Sequence, residues 1–246
     1  MSTMRILLIA LLVCSSFSCS DQQWKRVLEG AQGPAGLSST EVAAGLREAL
    51  TIGANQAAGA ASMRDGFFKN PALFIPFPEE AIKVKNTALT LGLGSQVTRF
   101  EETLNRAAEE ASKQAAPILV NAITSMGIND AFAILRGDNN AATNYLRTTT
   151  EAALLDAFRP RVQDAVDAVE LTKYWQPLAS AYNTATTFTG GQSVNPDLTG
   201  YVTEKALNGL FVLVAQEEAH IRENPAARVT DLLKKVFGSP ETGRNK

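Results

Sequence analysis

The chain is poor in the residues that do covalent or metal chemistry. Both cysteines, Cys14 and Cys19, fall within the first nineteen residues, and the only histidine is His220. After Cys19 there is no thiol to serve as a nucleophile, a soft-metal ligand or half of a disulfide. The body must therefore rest on a hydrophobic core, and 246 residues are enough to build one. A surplus of one charge is also missing. Lys and Arg number 23 against 25 Asp and Glu, with no basic run, which argues against a nucleic-acid partner. Lys234-Lys235 and the stretch from Arg244 to Lys246 read as a solvated end. Strand signals are absent as well: no window alternates apolar and polar positions with valines and aromatics. Alanine is abundant instead, with Leu, Glu, Gln and Lys, the strong helix formers. The composition predicts an all-α protein.

Long apolar runs are lacking too. The run from Ile6 to Val13 is eight residues, against roughly twenty for a spanning helix. With Arg5 before it and small residues after it, this is the pattern of a removable export leader. Ser16-Phe17-Ser18-Cys19 has the form of a lipoprotein signal, with Ser18 just before the cysteine and Ser16 where Leu is usual. The expectation is a lipoprotein-type signal over residues 1–18, with Cys19 as the lipidated residue. Ser20 in the next position fits release to the outer membrane. Ordinary cleavage near Ser18, leaving a soluble periplasmic protein, is the alternative. Residues 19–38, with Gly30, Gly33, Pro34 and Gly36, read as a flexible tether. Residues 39–238 form a single multi-helix, bundle-like domain, and 239–246 a disordered tail.

Within that domain Ser39 or Thr40 is placed to cap a first helix that fades near Ser62. Asp65-Gly66 signals a turn. The segment from Phe67 to Pro78 is then fixed in extended form by prolines, and its four phenylalanines predict a lid packed over the core. A helix from Pro78 ends at Gly92-Leu93-Gly94. A long one from Ser95 carries Val97, Phe100, Leu104, Ala108 and Ala111 on one side. Shorter helices follow over Ile118–Met126 and Asn129–Leu135. Asp138 is placed to cap the next long helix, with a kink or fresh start at Pro160. Tyr174 to Tyr182 reads as an aromatic helix and Thr184 to Pro196 as a mobile loop. The helix from Tyr201 to Arg222 is apolar nearly all round at Gly209–Ala215, which predicts a central position. A last helix spans Ala226 to Phe237.

Few constellations suggest chemistry. Glu217-x-x-His220 has the spacing of half a di-iron carboxylate site, but one histidine excludes that site, and an exposed helix-end histidine is the simpler reading. No metal or other cofactor is indicated. Arg99, Glu102, Asn105 and Arg106 lie within two turns of one helix and are the candidate binding residues, with an internal brace or a solvated face as the alternative. The helix start after Gly137-Asp138-Asn139-Asn140 offers N–H groups to an anion, but Asp138 repels phosphate and no Walker-type lysine follows. Neither Ser180 nor Ser193 lies in a nucleophile elbow, and the paired acids Glu101-Glu102, Glu109-Glu110 and Glu217-Glu218 diverge by about 100°. The aromatics Tyr174, Trp175 and Tyr182, with those from Phe67 to Phe77, line either the core or an apolar groove. No catalytic residue is assigned.

The stretches GLREALTIGANQA, DGFFKNPALFIPFPEE, LGLGSQVTRFEETLNRAAEEA, ILRGDNNAATNYLRTTT, YVTEKALNGLFVLVAQEE and NPAARVTDLLKKVFG occur in that order between about Leu37 and Gly238. With the repeated Asn-Pro-Ala, they resemble the bacterial family called domain of unknown function 4197. His220 stands where that family has Lys, and the Thr- and Gly-rich stretch after Thr184 is less regular. The resemblance implies an all-α fold and an export leader. It supplies no activity, cofactor or catalytic residue. Three roles remain open: a non-enzymatic interaction module meeting an envelope protein, a carrier of an apolar ligand in a groove between helices, and a carboxylate-dependent hydrolase. The lack of a catalytic pattern leans toward the first.

Overall fold

In the computed structural model the described residues are 38–79, 82–168, 180, 183–184, 187–188, 193 and 197–223. They form seven helices in chain order: α1 (Ser39–Ser62), α2 (Ile82–Thr90), α3 (Gly94–Ser112), α4 (Ala115–Thr124), α5 (Ile128–Arg136), α6 (Ala141–Asp167) and α7 (Leu198–Glu223). The all-α reading holds for these residues. The leader, Cys19, the tether, most of the aromatic stretch from Tyr174 to Tyr182, the last helix and the tail lie outside the described residues.

α7 is the axis of the bundle. It packs on α6, α1 and α3, while α1 also meets α4 and α5. The central position expected of it follows from its burial of Val202, Ala206, Leu207, Leu210, Phe211 and Val214. α1 approaches closely because its buried face is mostly small, with Ala43, Gly45, Ala49, Gly53, Ala54, Ala57, Ala58 and Ala61 beside Val42, Leu46 and Leu50. A Cβ on Gly53 would lie 3.3 Å from Glu217 Cβ and 3.4 Å from Ile221 Cδ1. Larger side chains would force the two axes apart.

Several local details differ from expectation. The N-cap of α1 is Ser38 rather than Ser39 or Thr40. The Ser38 hydroxyl accepts from Glu41 N at 3.2 Å, and the Glu41 carboxylate accepts from Ser38 N at 2.8 Å. Only Ser38 stands three residues before that glutamate, so only it can close the reciprocal box. α6 runs through Pro160 without a break between Ala141 and Asp167. Buried Phe158, Val162 and Val166 on both sides of the proline hold the two halves to the core. In the stretch read as a loop, Thr184, Thr187 and Phe188 are helical. The hydroxyls of Thr184 and Thr187 donate to the carbonyls four residues earlier.

The lid prediction is met by residues 63–79, a strap laid across α3 and α7, but residues 64–69 and 71–73 are turns rather than the extended chain expected from Phe67 onward. Its Phe67, Leu73, Ile75 and Phe77 are buried in the common core. Phe67 is completely buried. It enters the notch left by Gly209 on α7, where a Cβ would fall 2.6 Å from Phe67 Cε1. The two remaining phenylalanines are half-buried and lean on each other, Phe68 and Phe74 having ring centres 6.2 Å apart. Gly209→Ala should lower stability by about 1–3 kcal/mol through overpacking. Urea unfolding of the variant should give a lower midpoint at an unchanged slope.

Candidate functional site

The polar residues of α3 meet the strap in a regular pattern. Glu101, Asn105 and Glu109 are four apart, so they stack on one helix face. Each takes hold of strap backbone. Glu109 Oε1 accepts from Phe67 N at 3.1 Å and from Phe68 N at 3.2 Å. Asn105 pairs with both polar groups of Ile75: its Oδ1 accepts from Ile75 N at 2.8 Å and its Nδ2 donates to Ile75 O at 2.9 Å. The same amide donates to Glu101 O at 2.8 Å, which completes its capacity on that side. Glu101 Oε1 accepts from Phe77 N at 3.4 Å and from Lys85 Nζ at 2.7 Å. A strap with its apolar side chains buried still has backbone N–H and C=O groups to satisfy, and this ladder satisfies them.

Arg106 ties the ladder to the turn before the strap. Its guanidinium donates to Glu109 Oε2 at 2.7 Å, to Asp65 Oδ1 at 2.6 Å and to Glu102 Oε1 at 3.3 Å, and it lies over the Phe68 ring at 5.2 Å. Burial works against the charge of Arg106, but its bonds to Glu109 and Asp65 outweigh it and raise the pKa further above the ordinary range. Asp65 has φ 67°, a left-handed conformation that aspartate tolerates better than most residues. Hydrogen bonds from Lys69 and then Arg106 hold its carboxyl below the usual value of 3.8.

The four candidate binding residues therefore do not form one cluster. Asn105 joins Glu101 and the Ile75 backbone. Arg106 and Glu102 pair as their spacing predicts, but Arg106 also binds Glu109 and Asp65. Arg99 is exposed and makes no ion pair among the described residues. Glu109 and Asp65 escaped the sequence reading. The spacing of Glu101, Asn105 and Glu109 beside the Phe100–Leu104–Ala108 stripe was the available signal for the first. Nothing local marks Asp65 as a partner of a residue 41 positions away.

A second buried carboxylate corrects another expectation. The Asp138 carboxylate accepts from Asn140 N at 3.1 Å and its backbone carbonyl from Ala141 N at 3.3 Å, but its side chain does not cap α6. The N-terminal N–H groups of α6 point instead at Glu218 of α7. Glu218 accepts from Ala142 N at 3.0 Å, from Thr143 N at 2.8 Å and from Thr143 Oγ1 at 2.7 Å. Arg222 covers the same carboxylate at 2.7 Å and donates to Ile134 O near the end of α5 at 3.0 Å. The anion-binding end of α6 is thus filled by the protein's own carboxylate. Beside it are two small recesses, lined by Leu46, Leu50, Ala142 and Ile221 among others, each with room for roughly one water molecule. His220 is exposed, 3.9 Å from Glu217. Among the described residues no three of His, Cys, Asp and Glu converge in a way that would hold a metal.

Asn105→Ala should cost about 2–4 kcal/mol, because it leaves the N–H and C=O of Ile75 buried without partners. Chemical unfolding measures the loss, and hydrogen exchange should show it as faster opening of the strap amides. Asp65 supplies a pH dependence. Its folded pKa is depressed, so its contribution is fully present above 3.8 and is lost as pH falls through the lower folded value. Asp65→Asn should flatten the stability curve below about pH 4. An unchanged acid limb would show that the Asp65 carboxylate is not coupled to folding.

No curated protein and no solved structure matches the chain. A family model described as protein of unknown function (DUF4197) matches residues 36–238. The match takes in every helix from α1 to α7, the strap and both buried carboxylates. The chain belongs to this family of proteins of unknown function.

Proposed function

We propose that the protein is a non-enzymatic interaction module of the cell envelope, held on the periplasmic side of the outer membrane by a lipid on Cys19. The reading is carried by one observation: the buried amide and charged side chains of the described residues, Asn105, Glu109 and Glu218, are each engaged by the protein's own groups. A general acid or base needs reach to a substrate and a cleft to hold it. Here the carboxylates grip backbone and arginine, and the recesses beside Glu218 are water-sized. Neither of these two recesses has the several hundred cubic ångströms, roughly, that an apolar ligand needs. The described interior is organised for cohesion, which supports contact through the surface as the role.

The leader Ser16-Phe17-Ser18-Cys19 supports the envelope location. Mass spectrometry of the mature N-terminus should find Cys19 as the first residue, carrying diacylglycerol and an acyl chain. Cys19→Ala should remove the lipid and move the protein from the membrane to the soluble fraction. An unmodified N-terminus at Cys19 or beyond would remove the anchor. A steady turnover lost on Glu109→Gln or Glu218→Gln, in variants that still fold, would overturn the non-enzymatic reading.

A further inference from the structure

The hairpin of α2 and the start of α3 stands apart from the clamped interior. α2 packs chiefly on α3 alone. Its exposed face and the turn after it carry Ile82, Leu89, Leu91 and Leu93, exposed by 39%, 46%, 70% and 40%. Gly92 makes the turn with φ 79°, a conformation that leucine would resist. The sharp reversal puts Leu91 and Leu93 at the tip. Water gains nothing from this arrangement, and neighbouring apolar side chains at such exposure mark a contact surface.

Charge selects among partners. From Asn86 to Thr98 there are thirteen residues without a charge, and from Ile82 to Thr98 there is no acid. The residues that bracket the uncharged stretch are cations: Lys83 and Lys85 before it, Arg99 after it. Glu101, the nearest acid on α3, is engaged by Lys85 and the Phe77 N–H. Lys85 is paired with Glu101, so the cations at the edge of the hairpin are Lys83 and the exposed Arg99. Apolar tip, uncharged sides and these cations match the layers of an anionic bilayer surface: acyl boundary, carbonyl region and phosphates. A protein interface of this kind is usually built around aromatics, Met and Arg, with Lys depleted, and the tip has no aromatic residue.

We infer that the Leu89–Leu93 tip is a second membrane contact, seating in the interfacial layer of anionic phospholipid and setting the orientation of the body against the membrane. Among the described residues no single helix is long and apolar enough to cross a membrane, so the contact is superficial. The envelope reading supplies a membrane for the tip to meet, but the lipid contact does not depend on acylation of Cys19.

The test uses the whole chain downstream of the leader with Cys19→Ser, so that no acyl chain contributes. Flotation is measured with phosphatidylethanolamine–phosphatidylglycerol vesicles and with phosphatidylcholine vesicles. The parent should float with the anionic vesicles, and Leu91→Asp should weaken this by about tenfold. Met63→Asp, at an exposed apolar residue elsewhere, should leave it unchanged. Leu91→Trp should add emission that shifts to the blue on vesicle addition, and Arg99→Glu should weaken binding and reduce its salt dependence. Circular dichroism shows that each variant folds; Leu91 is exposed enough for this to be expected. Failure of the parent to float, or equal flotation of parent and Leu91→Asp, would overturn the inference. So would a parent dimer that Leu91→Asp dissociates without any vesicle binding, which would assign the patch to a second copy. An unlipidated Cys19 in cells would leave these results standing, and a negative flotation result would leave the anchor standing.

Discussion

Burying an apolar strap between helices poses a problem that side-chain hydrophobicity cannot solve. Phe67, Ile75 and Phe77 gain by leaving water, but their backbone N–H groups lose water as well. The α3 ladder of Glu101, Asn105 and Glu109 answers that loss, and much of the architecture depends on it. Without the ladder the strap would keep its apolar contacts only at the cost of orphaned donors. With it, Phe67 can fill the Gly209 notch, and the strap links α3 to the central helix α7. Arg106 extends the hold to Asp65, where the chain leaves α1 and reverses.

Glu218 repeats the principle elsewhere. One carboxylate closes the start of α6, while Arg222, bound to it, serves a carbonyl near the end of α5. Both sites place ionised groups in the interior, each hydrogen-bonded and paired, the condition under which buried charge is tolerated. The first fixes the strap on α3, and the second ties α7 to the start of α6 and the end of α5. A carboxylate bound in this way is committed to backbone N–H groups and arginine, and both sites hold the interior together.

Much of the fold was legible. The glycine turns at Gly92 and Gly127, the helix stripe through Phe100 and Leu104 and the central placing of α7 all follow from local composition and a 3.6-residue period. The strap was legible as an apolar proline-fixed segment because four phenylalanines in eleven residues have few other places to go. The polar site was not. Spacing identified Glu102–Arg106 and singled out Asn105, and left a ligand site, an internal brace and a solvated face open. It did not show that Asn105 turns inward to Ile75, or that Arg99 stays outside.

What the amino-acid sequence determined by itself is most of the described helices and their apolar faces, because these depend on residues a few positions apart; the unbroken course through Pro160 and the helical Thr184, Thr187 and Phe188 are the exceptions. Cross-chain hydrogen bonding was decided only by tertiary structure. Asp138 was the nearest acid to the start of α6, yet Glu218, some 75 residues away, is the carboxylate that reaches it. The reason is geometric. A helix start presents its N–H groups along its own axis, and only the packing of α7 across α6 brings a side chain onto that line.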